Sequence, residues 1–191
     1  MKLFVTVTAL SAAAAAASVW PTHLSFPGWW PLIAFLFVSV LLETFNTQLR
    51  LNAKGSTSFI MYMAGLLLFG GWWAAVIAAV STFLGEIARN NPLIKITFNV
   101  SQRILAVAVA ALVYGLVGGE LPAAYLQLGA SWSSQAVQRD LGLFVVISSV
   151  YFLVSWAAVN CAIVLSSERA FREVWNLNTR GLLFYDIAAS L

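Results

Sequence analysis

Apolar positions fall in long unbroken blocks along this chain, parted by short breaks rich in proline, glycine or charge. The blocks cover about residues 3–20, 30–48, 57–88, 96–117 and 141–166, and a further apolar start, GLLFYDIAASL, occupies 181–191. A bilayer core of ~30 Å needs about 20 apolar residues in helical form. The blocks are continuous, without the apolar–polar alternation over about ten residues that marks a membrane β-strand. The pattern predicts transmembrane helices.

The block at 57–88 is too long for one span and contains Gly70-Gly71 at its centre. Charge decides how to divide it. With the amino terminus in the cytoplasm and a hairpin of 57–70 and 72–88, the residues Lys2, Arg50, Lys54, Arg89, Lys95, Arg103, Arg169, Arg172 and Arg180 all fall on the cytoplasmic side. Only Arg139 falls outside, next to Asp140. A single helix there would divide the basic residues between the two sides, against the positive-inside bias. Each hairpin arm has roughly 14 residues, or about 21 Å at 1.5 Å per residue, which suits arms packed among other helices. The prediction is an all-α polytopic membrane protein with about six transmembrane helices and the start of a seventh, including a short helical hairpin. The segment 120–140 lies outside, and 166–180 forms a cytoplasmic connector.

The amino-terminal stretch, with Lys2, an apolar run and a string of alanines, also describes a secretory signal peptide. Its length and the interfacial Trp20-Pro21 favour a retained span. The 181–191 stretch is too short to cross, so the native chain is expected to continue beyond it.

Composition agrees. Hydrophobic residues make up 61% and charged residues 9% of the 191, whereas soluble domains carry about 25% charged residues. The net charge of +3 comes from scattered basic residues and implies no nucleic-acid partner. One cysteine, Cys161, and one histidine, His23, exclude an intrachain disulfide and any metal site built on several such ligands. No nucleophile–base pair, Walker loop or dinucleotide fingerprint is present. The segment carries no sign of catalysis, and no cofactor is implied.

What remains is polarity inside or beside apolar blocks, where ionisable groups are expensive and face protein or water. Asn99, Gln102 and Arg103 in FNVSQR share one helix face. With Glu43 at the end of the second block they form a candidate polar cluster: Asn99 and Gln102 toward the bundle interior, Arg103 at the cytoplasmic rim. Glu43 and Glu86 are expected in ion pairs with Arg103 or Lys95, the sharper possibility being a Glu43–Arg103 pair that responds to ligand or bilayer. Asn160 and Glu86 are candidate interhelical contacts, worth about 0.6 kcal/mol apiece. Trp20, Trp29, Trp30, Trp72 and Trp73 suit an outer interfacial belt. The segment SSERAFREVWNLNTR reads as a basic amphipathic connector in which Arg169, Arg172, Glu173 and Arg180 meet anionic lipid or couple the bundle to a downstream domain.

Three stretches together, LLETFNTQLRLNAKGSTSF, LGEIARNNPLIKITFNVSQRILAVAVAALVYGLVGG and YFLVSWAAVNCAIVLSSERAFREVWNLNTRGLL, resemble the membrane-embedded amino-terminal domain of bacterial signalling proteins. That resemblance is strongest over 42–117 and 150–182. It implies a sensory or regulatory bundle in the bacterial inner membrane, succeeded in the gene by an HD-GYP phosphodiesterase, GGDEF diguanylate cyclase or kinase domain, and hence a place in cyclic di-GMP signalling. Its partners would be membrane lipids, the downstream cytoplasmic domain, and a second copy or larger membrane assembly. A looser likeness is to the substrate-binding components of vitamin transporters. A structural subunit of a larger complex is the third reading. A downstream catalytic domain, an ATPase partner and stable co-purification with an assembly would respectively favour the three.

Overall fold

The structure, a computed structural model, describes residues 1–20, 26–44, 47–50, 53–55, 57–119, 135–167 and 170–178. Seven helices occupy most of them: α1 (Lys2–Ser18), α2 (Trp29–Thr44), α3 (Phe59–Phe69), α4 (Gly71–Ala88), α5 (Leu93–Leu116), α6 (Gln135–Ser167) and α7 (Phe171–Asn178). Three of these, α4, α5 and most of α6, are long and apolar enough to cross a membrane, with 18, 24 and 31 residues. Three more apolar helices, α1, α2 and α3, are shorter, at 17, 16 and 11 residues. The six anticipated helices exist, but only half of them reach full spanning length.

The hairpin at 57–88 turns where anticipated. Gly70 ends α3 with φ of 88°, a left-handed value that glycine adopts without a Cβ penalty. Its N–H donates to the Leu66 carbonyl at 2.9 Å, so one carbonyl at the end of α3 is satisfied inside the turn. The next turn is closed by asparagine. Asn90 takes φ of 53°, and the Asn91 N–H returns to the Glu86 carbonyl at 3.2 Å, a Schellman-type closure of α4. Pro92 comes next, in extended conformation with φ of −65°. With φ fixed and no N–H to lose, it leads directly into α5.

Two expected boundaries are corrected. Hydropathy carries the second block to residue 48, but α2 ends at Thr44 and Thr47–Arg50 is a strand, β1, paired antiparallel with β2 (Ala53–Gly55). A polar segment beyond the end of α2 pairs its backbone groups in a ladder. Hydropathy starts the last long helix at residue 141, whereas α6 starts at Gln135 and runs for 33 residues, about 50 Å. QAVQRDL consists largely of good helix formers. Arg139 and Asp140 therefore sit in the first turns of α6, 3.7 Å apart, with Asp140 buried, and not in an outside loop.

The helix α5 is the hub, packing against α1, α4 and α6, while α2 and α3 pack on α4. Close approach rests on small residues: Ala74, Ala78, Ala106 and Ala110 are all sealed from solvent. Membrane helices rely on such positions because lipid tails provide no hydrophobic drive for helix association. Tyr62, Met63, Leu66, Leu67, Ile77, Ile147 and Tyr151 fill the main core.

The two ends of the bundle differ in chemistry. At one end the start of α1 meets α5 and α6 through Val5, Phe98 and Ala162. At the other, Trp20 lies 4.2 Å from Trp72, and Phe26 joins Trp29 and Trp73 at 4.8 and 5.2 Å between ring centres. Four of the five tryptophans anticipated in an interfacial belt thus gather at one end, opposite Glu43 and Arg89. The fifth, Trp30, is 83% exposed. Arg169, Arg180 and the 181–191 stretch lie outside the described residues.

Candidate functional site: a polar core inside an apolar bundle

The site is built where α2 and α4 end and α3 begins. Glu43, one residue from the end of α2, is buried, and its Oε2 accepts a hydrogen bond from the Ser58 hydroxyl at 2.6 Å. Arg89 approaches from the end of α4. Its Nη2 stands 3.7 Å from Glu43 Oε1 and donates to the Glu43 backbone carbonyl, a helix-end acceptor that α2 leaves without an intrahelical partner. Its Nη1 donates to Glu86 Oε1 at 2.7 Å. One guanidinium therefore holds two buried carboxylates.

Glu86 uses its second oxygen to accept from the Asn91 amide at 2.7 Å, and Asn91 accepts from Lys95 at 3.1 Å. Among the described residues, the partners of Glu86 thus belong to its own helix end and the following turn. Its expected interhelical role is corrected: it closes the α4–α5 connection, and Lys95 reaches it only through Asn91. The i,i+3 spacing of Glu86 and Arg89 suits this, since such residues are neighbours on a helix surface.

Gly85 makes room for the arrangement. A Cβ there would come within 2.8 Å of Glu43 Cγ, in the path of a side chain fixed by Ser58 and Arg89. Glycine is required because the α2 carboxylate passes directly over α4.

One layer deeper, Tyr62 of α3 places its hydroxyl 3.0 Å from Ser81 Oγ and 3.4 Å from Thr82 Oγ1 on α4. Ser81 donates onward to the Ile77 carbonyl at 2.7 Å. Each hydroxyl is fully or almost fully buried, and each is paired, as hydrocarbon demands.

The stripe on α5 turns toward α6. Gln102 is buried and its Nε2 donates to Ser155 at 2.5 Å. Arg103 donates from Nη1 to the Tyr151 hydroxyl at 2.5 Å, with its guanidinium carbon 5.9 Å from the Tyr151 ring centre. Asn99, one turn earlier, is half-buried.

Two expectations about Arg103 are corrected. It does not reach the rim: it lies ten residues into α5, about 15 Å along the axis, on a tyrosine at the middle of α6. Nor is it the direct partner of Glu43, a place taken by Arg89. The two groups are within electrostatic reach of one another, without an ion pair. The side chain is long enough to turn inward to a buried hydroxyl, and that gain outweighs snorkelling when the phenol would otherwise lack a partner.

Asn160 is buried, and its Nδ2 donates to the Trp156 carbonyl one turn back at 2.9 Å. Beyond the end of α6, α7 exposes Arg172 and Glu173, while Val174 is buried and Phe171 stacks on Trp175 at 5.7 Å.

Sequence reasoning did not assign Ser58, Tyr62, Ser81, Thr82, Arg89, Asn91, Tyr151 or Ser155, which complete the polar core. Only Arg89 left a trace, through its spacing from Glu86. The hydroxyl groups read as ordinary members of apolar helices.

Residues 16–189 match the family model MASE9, of a membrane-associated sensor family typically found in bacterial signalling proteins. The chain belongs to the MASE9 family. Comparison with curated proteins and with solved structures returns no match. The family match covers the polar core, the hairpin and α7. Membrane association follows from the family and from the three apolar helices of spanning length.

Proposed function

We propose that this MASE9 domain is the non-catalytic input unit of a bacterial signalling protein, seated in the inner membrane with six crossings and a cytoplasmic amino terminus. In this reading α1, α2 and α3 cross together with the longer helices, their modest length compensated by packing and local bilayer thinning. The orientation is supported by charge: Lys2, Arg89 and Lys95 belong to one end of the bundle, and Arg139 to the start of α6 at the other. With single cysteines placed at Ser56 or Ser133 in a Cys161→Ser background, an impermeant thiol reagent added to intact cells should label only the Ser133 position. Labelling at Ser56 alone would reverse the orientation.

The observation that carries the sensory reading is the pair of polar contacts tying α5 to α6, Gln102–Ser155 and Arg103–Tyr151. The helix they hold, α6, is the one that leads into α7. A switch needs an element with two arrangements that an input biases. Hydrogen bonds inside a bundle are discrete, made or broken, whereas apolar packing against lipid slides continuously. Rearranging either contact would shift α6 and so displace α7 and any cytoplasmic domain attached beyond it.

Replacing Arg172 and Glu173 by alanine in the full-length protein is expected to change its signalling output by about 2- to 30-fold. Both side chains are exposed on α7, so thermal unfolding of the bundle should stay unchanged. An unchanged output in the double variant would remove α7 from the relay.

A further inference from the structure

We infer that Arg103 is the receptor for the single negative charge of a membrane amphiphile, a carboxylate or phosphodiester headgroup, that competes with the Tyr151 hydroxyl for the guanidinium. As the input to the sensor proposed above, this inference rests on that reading, but binding can be measured without any output.

Arg103 has unused hydrogen-bonding capacity. A guanidinium carries five N–H donors in a planar fork. Among the described residues its one hydrogen-bond acceptor is the Tyr151 hydroxyl, a neutral group. Arg103 is half-buried, so the rest of the fork is neither satisfied by protein nor sealed from an incoming group. Such a fork matches the two oxygens of a carboxylate or phosphate. A charge at this depth without an ion-pair partner among the described residues is costly, and an anionic headgroup would supply one.

The neighbouring acids are otherwise engaged. Glu43 is held by Ser58 and Arg89, and Glu86 by Arg89 and Asn91. Glu43 still contributes its field to the site, which opposes a doubly charged ligand more strongly than a singly charged one.

Aromatic rings close the bundle side of the site. Along the α3–α6 seam, Phe59 lies 4.7 Å from Phe152 and 6.3 Å from Tyr151, and Tyr62 lies 6.4 Å from Tyr151. Phe152 stacks on Trp156 at 5.8 Å. Phe59, Tyr62, Tyr151 and Phe152 are buried in the core, so this packed seam leaves the acyl chain on the lipid side of α6. On its outer face α6 presents Val146 and Leu153 to lipid, so the phase adjoining this depth is the bilayer and the ligand is an amphiphile. Anion binding would withdraw Arg103 from Tyr151 and release one of the two contacts between α5 and α6.

The test places the full-length protein in phosphatidylcholine nanodiscs and titrates oleate labelled with carbon-13 at the carboxyl, reading the bound carboxyl resonance. The wild type should show a saturable bound signal. Arg103→Gln should weaken binding at least ~10-fold, as loss of charge-assisted hydrogen bonds implies. Tyr151→Phe, which removes the competing acceptor and keeps the ring, should strengthen it by about 2- to 10-fold. A misfolded variant cannot gain affinity, so this second result separates the inference from collapse of the bundle. Arg139→Gln should bind as the wild type does. Loss of the oleate signal in wild-type nanodiscs containing phosphatidylglycerol would assign the site to a phospholipid headgroup; its persistence would assign it to a fatty acid. Unchanged binding by Arg103→Gln, no gain from Tyr151→Phe, or no saturable signal in phosphatidylcholine would each overturn the inference.

Discussion

Replacing Arg89 by methionine is expected to destabilise the folded bundle by about 3 kcal/mol, at the lower end of what breaking a buried ion pair costs. Arg89 is the cation held in common by Glu43 and Glu86, whose side chains are only 3% and 6% exposed. Without it two carboxylates remain in a low-dielectric interior, and the Glu43 carbonyl at the end of α2 loses a donor. Its own side chain is 19% exposed, and this residual solvent access places the cost at the lower end. Neutralising the two acids should reverse the effect. Combining Arg89→Met with Glu43→Gln and Glu86→Gln should recover most of the loss, because the amides can still pair with Ser58 and Asn91 and no charge is left alone. Thermal unfolding in detergent, read by circular dichroism, checks both statements. A single variant as stable as the wild type, or a triple variant no better than the single, would show that the carboxylates do not depend on this cation.

The second large effect is steric. Gly71→Ala should cost about 1–3 kcal/mol, the usual range for overpacking a close interface. The added Cβ would stand 2.5 Å from the Ala111 Cβ and 3.3 Å from the Val19 Cβ. Helix α4 begins there, in contact with α5 and the end of α1, and none of the three can retreat without opening the core beneath Ala74 and Ala110. Ala111→Gly should relieve the clash and restore much of the stability of Gly71→Ala, which makes the pair strongly non-additive. Gly115→Ala is the control: nothing lies within 4 Å of its Cβ position. It should be neutral or gain up to about 0.5–1 kcal/mol, since glycine is unfavourable inside a helix. Equal effects at both glycines would mean that helix propensity, and not the close approach, governs this face.

Much of the framework was legible from order along the chain. Continuous apolar blocks specify helices because a buried backbone in hydrocarbon must satisfy its own hydrogen bonds. Gly70-Gly71 announced the hairpin, and the distribution of lysine and arginine divided 57–88 correctly. The Asn90–Pro92 turn also has a local cause, an asparagine tolerant of left-handed backbone close before a residue that cannot donate. Boundaries were less legible. QAVQRDL extends α6 although hydropathy marks it as polar, because helix propensity and hydrophobicity are different properties. The β1–β2 ladder depends on backbone pairing, which side-chain pattern encodes weakly.

The polar core was visible only in part. Glu43, Gln102 and Arg103 stood out because a polar group in an apolar block is expensive wherever it points. Their partners did not stand out, for a physical reason. Arg103 meets Tyr151 across 48 positions, Gln102 meets Ser155 across 53, and Arg89 reaches Glu43 across 46. Tyrosine and serine are compatible with membrane helices whether or not anything binds them, so their hydropathy carries no trace of the bond. The sequence by itself determined that this is a helical membrane bundle with a short hairpin and a few costly polar groups. Only the tertiary structure decided that Arg89, and not Arg103, neutralises the buried acids, leaving Arg103 on a neutral hydroxyl. Long flexible side chains choose among acceptors by where the packed helices place them, and that placement is set by the close contacts of glycine and alanine between helices.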